Sequence, residues 1–236
     1  MPDVSIVIPC YNHGQYIDEA LQSITQIPNH DLFEVIIVND GSTDAFTNER
    51  LQTLYEAGYH VIFQKNSGLA TARNNGIKAS KGKYILPLDA DNKLRVEYVT
   101  KGVAILETKP DVSIVFGNAQ KFGSEQGLLK QGPYNLQKLM LANHIDACAL
   151  YRREVWEATG GYDAKMPAQG IEDWAMWMYA SFLGYKFHYI DEVLFDYRVL
   201  PTSMITVLRK NKIKSNANME YLINKHPLYF GPQFID

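Results

Sequence analysis

Five runs that are apolar at nearly every position punctuate the first half of the chain: VSIVIP (4–9), EVIIV (34–38), HVIF (60–63), YILPL (84–88) and VSIVF (112–116). A strand with one wet face alternates apolar and polar residues, whereas a strand covered on both faces is apolar throughout, so these runs predict a parallel sheet between layers of helix. Segments with helical spacing separate them, at about 15–26, 45–57, 69–79 and 95–107. The second is bracketed by its own chemistry: Ser42, Thr43 and Asp44 offer oxygens to its first N–H groups, and Gly58 stands where the chain leaves the helix. The order is βαβαβαβαβ, and the fold class expected is α/β with a mostly parallel sheet flanked by helices.

Residues 118–134, rich in Gly and Gln, break this alternation and predict a loop or an irregular hairpin. Beyond them the pattern predicts a strand at 145–151, a short helix at 153–158 ended by Gly160-Gly161, a helix at 172–183, and two short strands at 186–190 and 193–198. No linker, repeat or low-complexity stretch cuts the chain, so residues 1–204 are expected to form one domain and 205–236 a helical tail packed on it. The tail's Arg209, Lys210, Lys212 and Lys214, followed by Tyr221, Tyr229, Phe230 and Phe234, fit either a solvated helix or a peripheral contact with an anionic membrane surface.

Composition narrows the partners. With 236 residues, 46% apolar and 21% charged, the chain can bury a full core. A net charge of −3 gives no electrostatic case for nucleic acid, whose phosphates demand a basic face. Two cysteines, Cys10 and Cys148, argue against a disulfide framework. No apolar run approaches the ~18 residues of a membrane span, and no basic segment precedes the first one, so a cytoplasmic location is expected.

Parallel strands end along one edge of their sheet, and ligands sit outside that edge. The residues following the runs are Cys10, Tyr11 and Asn12; Asn39, Asp40 and Gly41; Lys65, Asn66 and Gly68; and Asp89-Ala90-Asp91. Two acids one residue apart repel unless a cation joins them. Mg²⁺ and Mn²⁺ bind through one or two carboxylates completed by phosphate oxygens, so this pair suggests a nucleotide-diphosphate site, with an Asp-rich turn as the structural alternative. On the helix from Leu69, Arg73 shares the inward stripe of Ala72, Gly76 and Ile77 and needs an anion, which Asp40 or a ligand phosphate would supply. A second acidic pair, Glu172-Asp173, opens a helix after Gly170, where acids serve either capping or catalysis, while Trp174, Trp177 and Met178 share a face in the manner of core residues.

Taken together and in this order, VSIVIPCYN, EVIIVNDGSTD, NSGLATARNNGIKASKGKYILPLDADN, ALYRREVWEATGGYD, GIEDWAMWMYA and FDYRVLPTSM resemble the inverting, nucleotide-sugar-dependent glycosyltransferases of family two, over residues 4 to about 204. The resemblance implies the GT-A fold, a Rossmann-like sheet with residues 1–117 as nucleotide-binding half and 118–204 as a smaller acceptor-side half. It implies that Pro9 and Tyr11 line the base pocket, that Asp40 hydrogen-bonds the base, and that Arg73 contacts the nucleotide. Gly68, Asp89 and Ala90 complete the nucleotide-sugar set, Asp91 with Asp89 forms the metal set for Mn²⁺ or Mg²⁺, Asp173 is the general base, Glu172 positions a sugar, and Trp174 borders the acceptor.

The partners so implied are a nucleotide-diphosphate sugar, UDP-linked in the first instance, and a glycan or lipid-linked glycan acceptor, with cell-surface polysaccharide synthesis as the setting. Two residues after Tyr197-Arg198 the family often carries a histidine; Leu200 stands there, which removes any metal or phosphate contact from that position. An inactive sugar-nucleotide-binding module is the main alternative, and Glu172 with Asp173 speaks against it, since binding alone needs no base. A dehalogenase-type phosphatase would carry its acidic pair on the first strand, and a nicotinamide dehydrogenase G-x-G-x-x-G after it; neither is present.

Overall fold

A computed structural model describes residues 2–201 and 212–227, with side chains in the second stretch from residue 216. Strands β1 (Val4–Cys10), β2 (Phe33–Asp40), β3 (His60–Gln64) and β4 (Tyr84–Pro87) lie parallel in the order β3-β2-β1-β4. Helices α1 (Gly14–Thr25), α2 (Ala45–Glu56) and α3 (Leu69–Ala79) make the crossovers. Every residue of β1 is buried because its two faces feed different cores: Ile6 and Ile8 pack with Ile17, Leu21 and Leu51, while Val7 packs with Ala70 and Ile77 of α3. A Cβ at Gly76 would run into the Val7 side chain, so this glycine lets α3 lie close on β1.

Beyond β4 the sheet changes character. Its full order is β3-β2-β1-β4-β8-β6-β9-β5, where β5 is Lys93–Leu94, β6 Val112–Gly123, β8 Leu150–Arg152 and β9 Lys186–Val199, and β7 (Gly127–Leu129) hairpins onto β6. Strand β8 is antiparallel to both β4 and β6, and β5 to β9. Helices α4 (Val96–Thr108), α5 (Leu136–Leu141), α6 (Arg153–Thr159) and α7 (Glu172–Phe182) complete this half. Trp177, Tyr151, Phe116 and Tyr162 anchor its own core, with Tyr151 and Trp177 edge to face at 5.5 Å.

Several boundaries differ from the sequence expectation. The stretch 118–134 is indeed partly a hairpin, β6 to β7, but the strand expected at 145–151 contracts to Leu150–Arg152. The two strands expected at 186–190 and 193–198 are one, β9, whose pairing steps from Gly117↔Ile190 to Asn118↔Val193. The extra residues Asp191 and Glu192 are exposed at that bulge, and their polarity made a continuous strand read as two. Strand β5 and helix α5, two and six residues long, are too short to show a period.

Helix α8 (Lys212–Lys225) buries Leu222 in the second core, and the Asn218 amide bonds both backbone groups of Ala168. Of the tail side chains noted above only Tyr221 is described; Lys212 and Lys214 are described by backbone alone, and Arg209, Lys210, Tyr229, Phe230 and Phe234 lie outside the described residues. No helix among the described residues is long and apolar enough to cross a membrane.

Candidate active site

The loops leaving β1, β2 and β3 interlock through short polar side chains that satisfy each other's backbone. Asn12, in the left-handed region at φ 54°, accepts from Thr43 N at 2.7 Å and Asp44 N at 3.2 Å, joining the first two loops. Asp44 caps α2 by accepting from Thr47 N at 2.7 Å. Asp40 is 4% exposed; its Oδ1 accepts from Gln64 Nε2 and Ser67 N and its Oδ2 from Gly68 N at 2.9 Å, so it braces the loop into α3. Gly68 has φ +88° and lies against the Gln169 amide, which leaves no room for a side chain. Pro9 is buried within β1, and Tyr11, 43% exposed, stands at the rim.

Of the two partners that the sequence offered Arg73, a ligand phosphate and Asp40, the second is not the one it takes. Its guanidinium, 2% exposed, donates from Nη2 to Asp89 Oδ1 at 2.6 Å and from Nη1 to Glu172 Oε1 at 2.8 Å, and neither oxygen of Asp40 reaches it. Burial lowers its pKa, but the charges of Asp89 and Glu172 outweigh this and raise it above the usual arginine value. Glu172 in turn accepts from Gly170 N at 2.7 Å. One arginine therefore welds the acidic turn after β4 to the acidic start of α7.

Asp91 makes no ion pair among the described residues. Burial and the adjacent Asp89 push its carboxyl up to about 7, against the pull of Arg198. That arginine clamps the turn: its backbone N donates to Asn92 Oδ1 at 2.8 Å, its Nε donates to the Asp91 carbonyl at 3.0 Å, and its guanidinium lies over Tyr16 and Phe122 at 4.5 and 4.3 Å. Ala90, between the two aspartates, is buried. A carboxyl held above its usual range by burial and by a second aspartate suits a hydrated divalent cation, and two aspartates with phosphate oxygens make a sufficient donor set for Mg²⁺ or Mn²⁺. Among the described residues no three acidic, histidine or cysteine side chains converge to hold such an ion unaided.

Across the crevice Asp173 accepts from Trp174 N at 2.8 Å and from Asn143 Nδ2 at 2.9 Å. Burial and the Glu172 charge raise its pKa well above the carboxylate range, with Arg73 opposing. Trp174 is a buried residue whose indole N–H donates to the Leu139 carbonyl, which pins α5 to α7.

The sequence reading passed over Asp146. Burial and Asp89 push its carboxyl up to about 6, and it acts on Asp91, Asp173 and the Tyr197 hydroxyl in turn. It stands alone before an apolar run, and only the antiparallel pairing of β8 with β4 brings it to the acidic turn.

A parallel half ending in an acidic turn, extended by strands that bring a second acidic pair across the crevice, defines the GT-A class of glycosyltransferase fold. The same shape occurs in TarS of S. aureus solved with UDP-GlcNAc, at a TM-score of 0.70 and 16% identity over 96% of this chain and 72% of that one. It recurs in the mannosyltransferase PcManGT of Pyrobaculum calidifontis solved with GDP-Man and Mn²⁺, at 0.69 and 18% over 94% and 64%. Within that class, residues 5–160 match the glycosyl transferase family 2 profile, and the chain belongs to that family. Similar relatives include the chondroitin synthase of Escherichia coli, 30% identical over 92% of this chain and 32% of that protein, and glycosyltransferase GlyA of Streptococcus pneumoniae, 26% over 94% and 36%. The chain spans about a third of the length of both.

Proposed function

We propose that this chain is an inverting glycosyltransferase that moves a sugar from a nucleotide-diphosphate donor, a UDP-sugar in the first instance, to a hydroxyl of a glycan or lipid-linked glycan, in the synthesis of a cell-surface polysaccharide or glycan. The observation that carries this reading is the Arg73 bridge, which holds a donor-side carboxylate and an acceptor-side carboxylate in one rigid frame. In this scheme Tyr11 and Pro9 border the base, and Asp40 serves it by ordering the loop at Gly68. Arg73 acts through Asp89 and Glu172 rather than on phosphate, because its fork is spent on them. Asp89 and Asp91 would hold Mn²⁺ or Mg²⁺, which when bound supplies charge neutralisation at the departing diphosphate.

The acceptor oxygen attacks the anomeric carbon while Asp173 takes its proton, and the bond from that carbon to the diphosphate oxygen breaks with its electron pair leaving on the nucleotide. The new bond forms on the face opposite the old one, so the configuration inverts. Names of relatives with synthase and transferase activity support the reaction class.

Thermal shift tests the donor site. UDP at a hundredfold excess over its Kd should stabilise the native protein by about 2.7 kcal/mol, and more when Mn²⁺ is added. Asp91→Ala should erase the metal-dependent increment. A mutant that responds to Mn²⁺ plus UDP as the native chain does would remove Asp91 from the metal set.

A further inference from the structure

Segment 143–148 crosses the floor of the crevice from one acidic motif to the other. At one end the Asn143 amide donates to Asp173. At the other, the chain enters β8, which pairs antiparallel with β4 in the register Tyr84↔Arg152 and Ile85↔Tyr151, so the residues before β8 run back along the end of β4 toward Asp89. The segment is rigidly held: Tyr98 of α4 donates to the Cys148 carbonyl at 2.8 Å and accepts from Leu150 N, and the amide of buried Gln131 accepts from Asp146 N at 3.0 Å. Asp146 stands midway. One of its oxygens accepts from Cys148 N at 2.9 Å, and the other has no partner among the described residues.

Resting on the function proposed above, the sugar being transferred must lie between the diphosphate end at Asp89 and Asp91 and the base Asp173. Asp146 lies on the segment that spans this interval, between Asn143 at Asp173 and the strand that pairs with β4. We infer that Asp146 is a specificity-determining residue for the donor sugar, accepting a hydrogen bond from a sugar hydroxyl and excluding donors whose sugar carries a carboxylate. Among the described residues the neighbouring cations are already engaged: Arg73 donates to Asp89 and Glu172, Arg198 to Glu19 and the Asp91 carbonyl, and Lys138 to the Gln131 carbonyl. A carboxylate on the sugar would meet the Asp146 carboxylate, whose second oxygen has no partner among the described residues. The donor class is therefore a neutral hexose or N-acetylhexosamine.

Matched donors that differ only in oxidation at the sugar's sixth carbon test this, UDP-glucose against UDP-glucuronate and GDP-mannose against GDP-mannuronate, titrated by calorimetry with Mn²⁺ into native protein and Asp146→Asn. The native chain should bind the neutral member at least about tenfold tighter, the scale of one charge-assisted hydrogen bond. Asp146→Asn keeps the oxygen that Cys148 N needs, should bind free UDP or GDP as the native protein does, and should shrink the neutral preference about tenfold. Equal discrimination in native and variant proteins, or a native preference for the uronate, overturns the assignment. If neither nucleotide binds the native chain, the glycosyltransferase reading itself falls, and this inference with it.

Discussion

Asp173→Asn should lower sugar transfer about 10²–10⁴-fold while leaving the binding of UDP and Mn²⁺ intact, the range for loss of a positioned general base. The substitution keeps an oxygen for Trp174 N, so the start of α7 is retained, and only the exposed Asn143 loses its acceptor. Stability should move the other way. A carboxyl whose folded pKa is raised above its unfolded value stabilises the native state when protonated, an effect present at low pH and lost as pH climbs through the folded pKa. The asparagine variant should thus melt no lower than the native protein at mildly alkaline pH, where native Asp173 is ionised. Transfer by the native chain should rise with pH across the neutral range, since the base acts only when ionised, and this rise should vanish in the variant's residual activity. A variant with native turnover on its acceptor would take Asp173 out of the mechanism.

The largest stability effect is expected at Arg73. Arg73→Met removes the cation between Glu172, itself almost wholly buried, and Asp89, and breaking a buried pair from one side costs about 3–5 kcal/mol because the remaining charge is stranded. Urea unfolding at neutral pH measures it. Adding Glu172→Gln to that variant should recover part of the loss by removing the stranded charge, a coupling that a double-mutant cycle isolates. Independent, additive costs for the two substitutions would show that the bridge contributes little to the fold.

Residue order alone determined the parallel half. Local signals sufficed there: strands covered on both faces must be apolar at every position, helices must repeat every 3.6 residues, and caps such as Asp44 act within one turn, so β1 to β4 and α1 to α3 were legible before any coordinates. The acidic turn was placed correctly for the same reason, since Asp89 and Asp91 follow a strand whose direction its neighbours dictate. What lay beyond reach were relations between distant segments. Arg73 was seen to need an anion, but Asp40 and Glu172 are equally consistent with a one-dimensional pattern, and only packing chose a partner 99 residues away. Asp146 carried no periodic or motif signal, because its role comes from an antiparallel neighbour strand, and strand pairing is set by long-range contacts that no local window contains. The bulge at Asp191 and Glu192 hid the continuity of β9 likewise, since a polar pair reads as a loop until the partner strand shows that the ladder resumes on its far side.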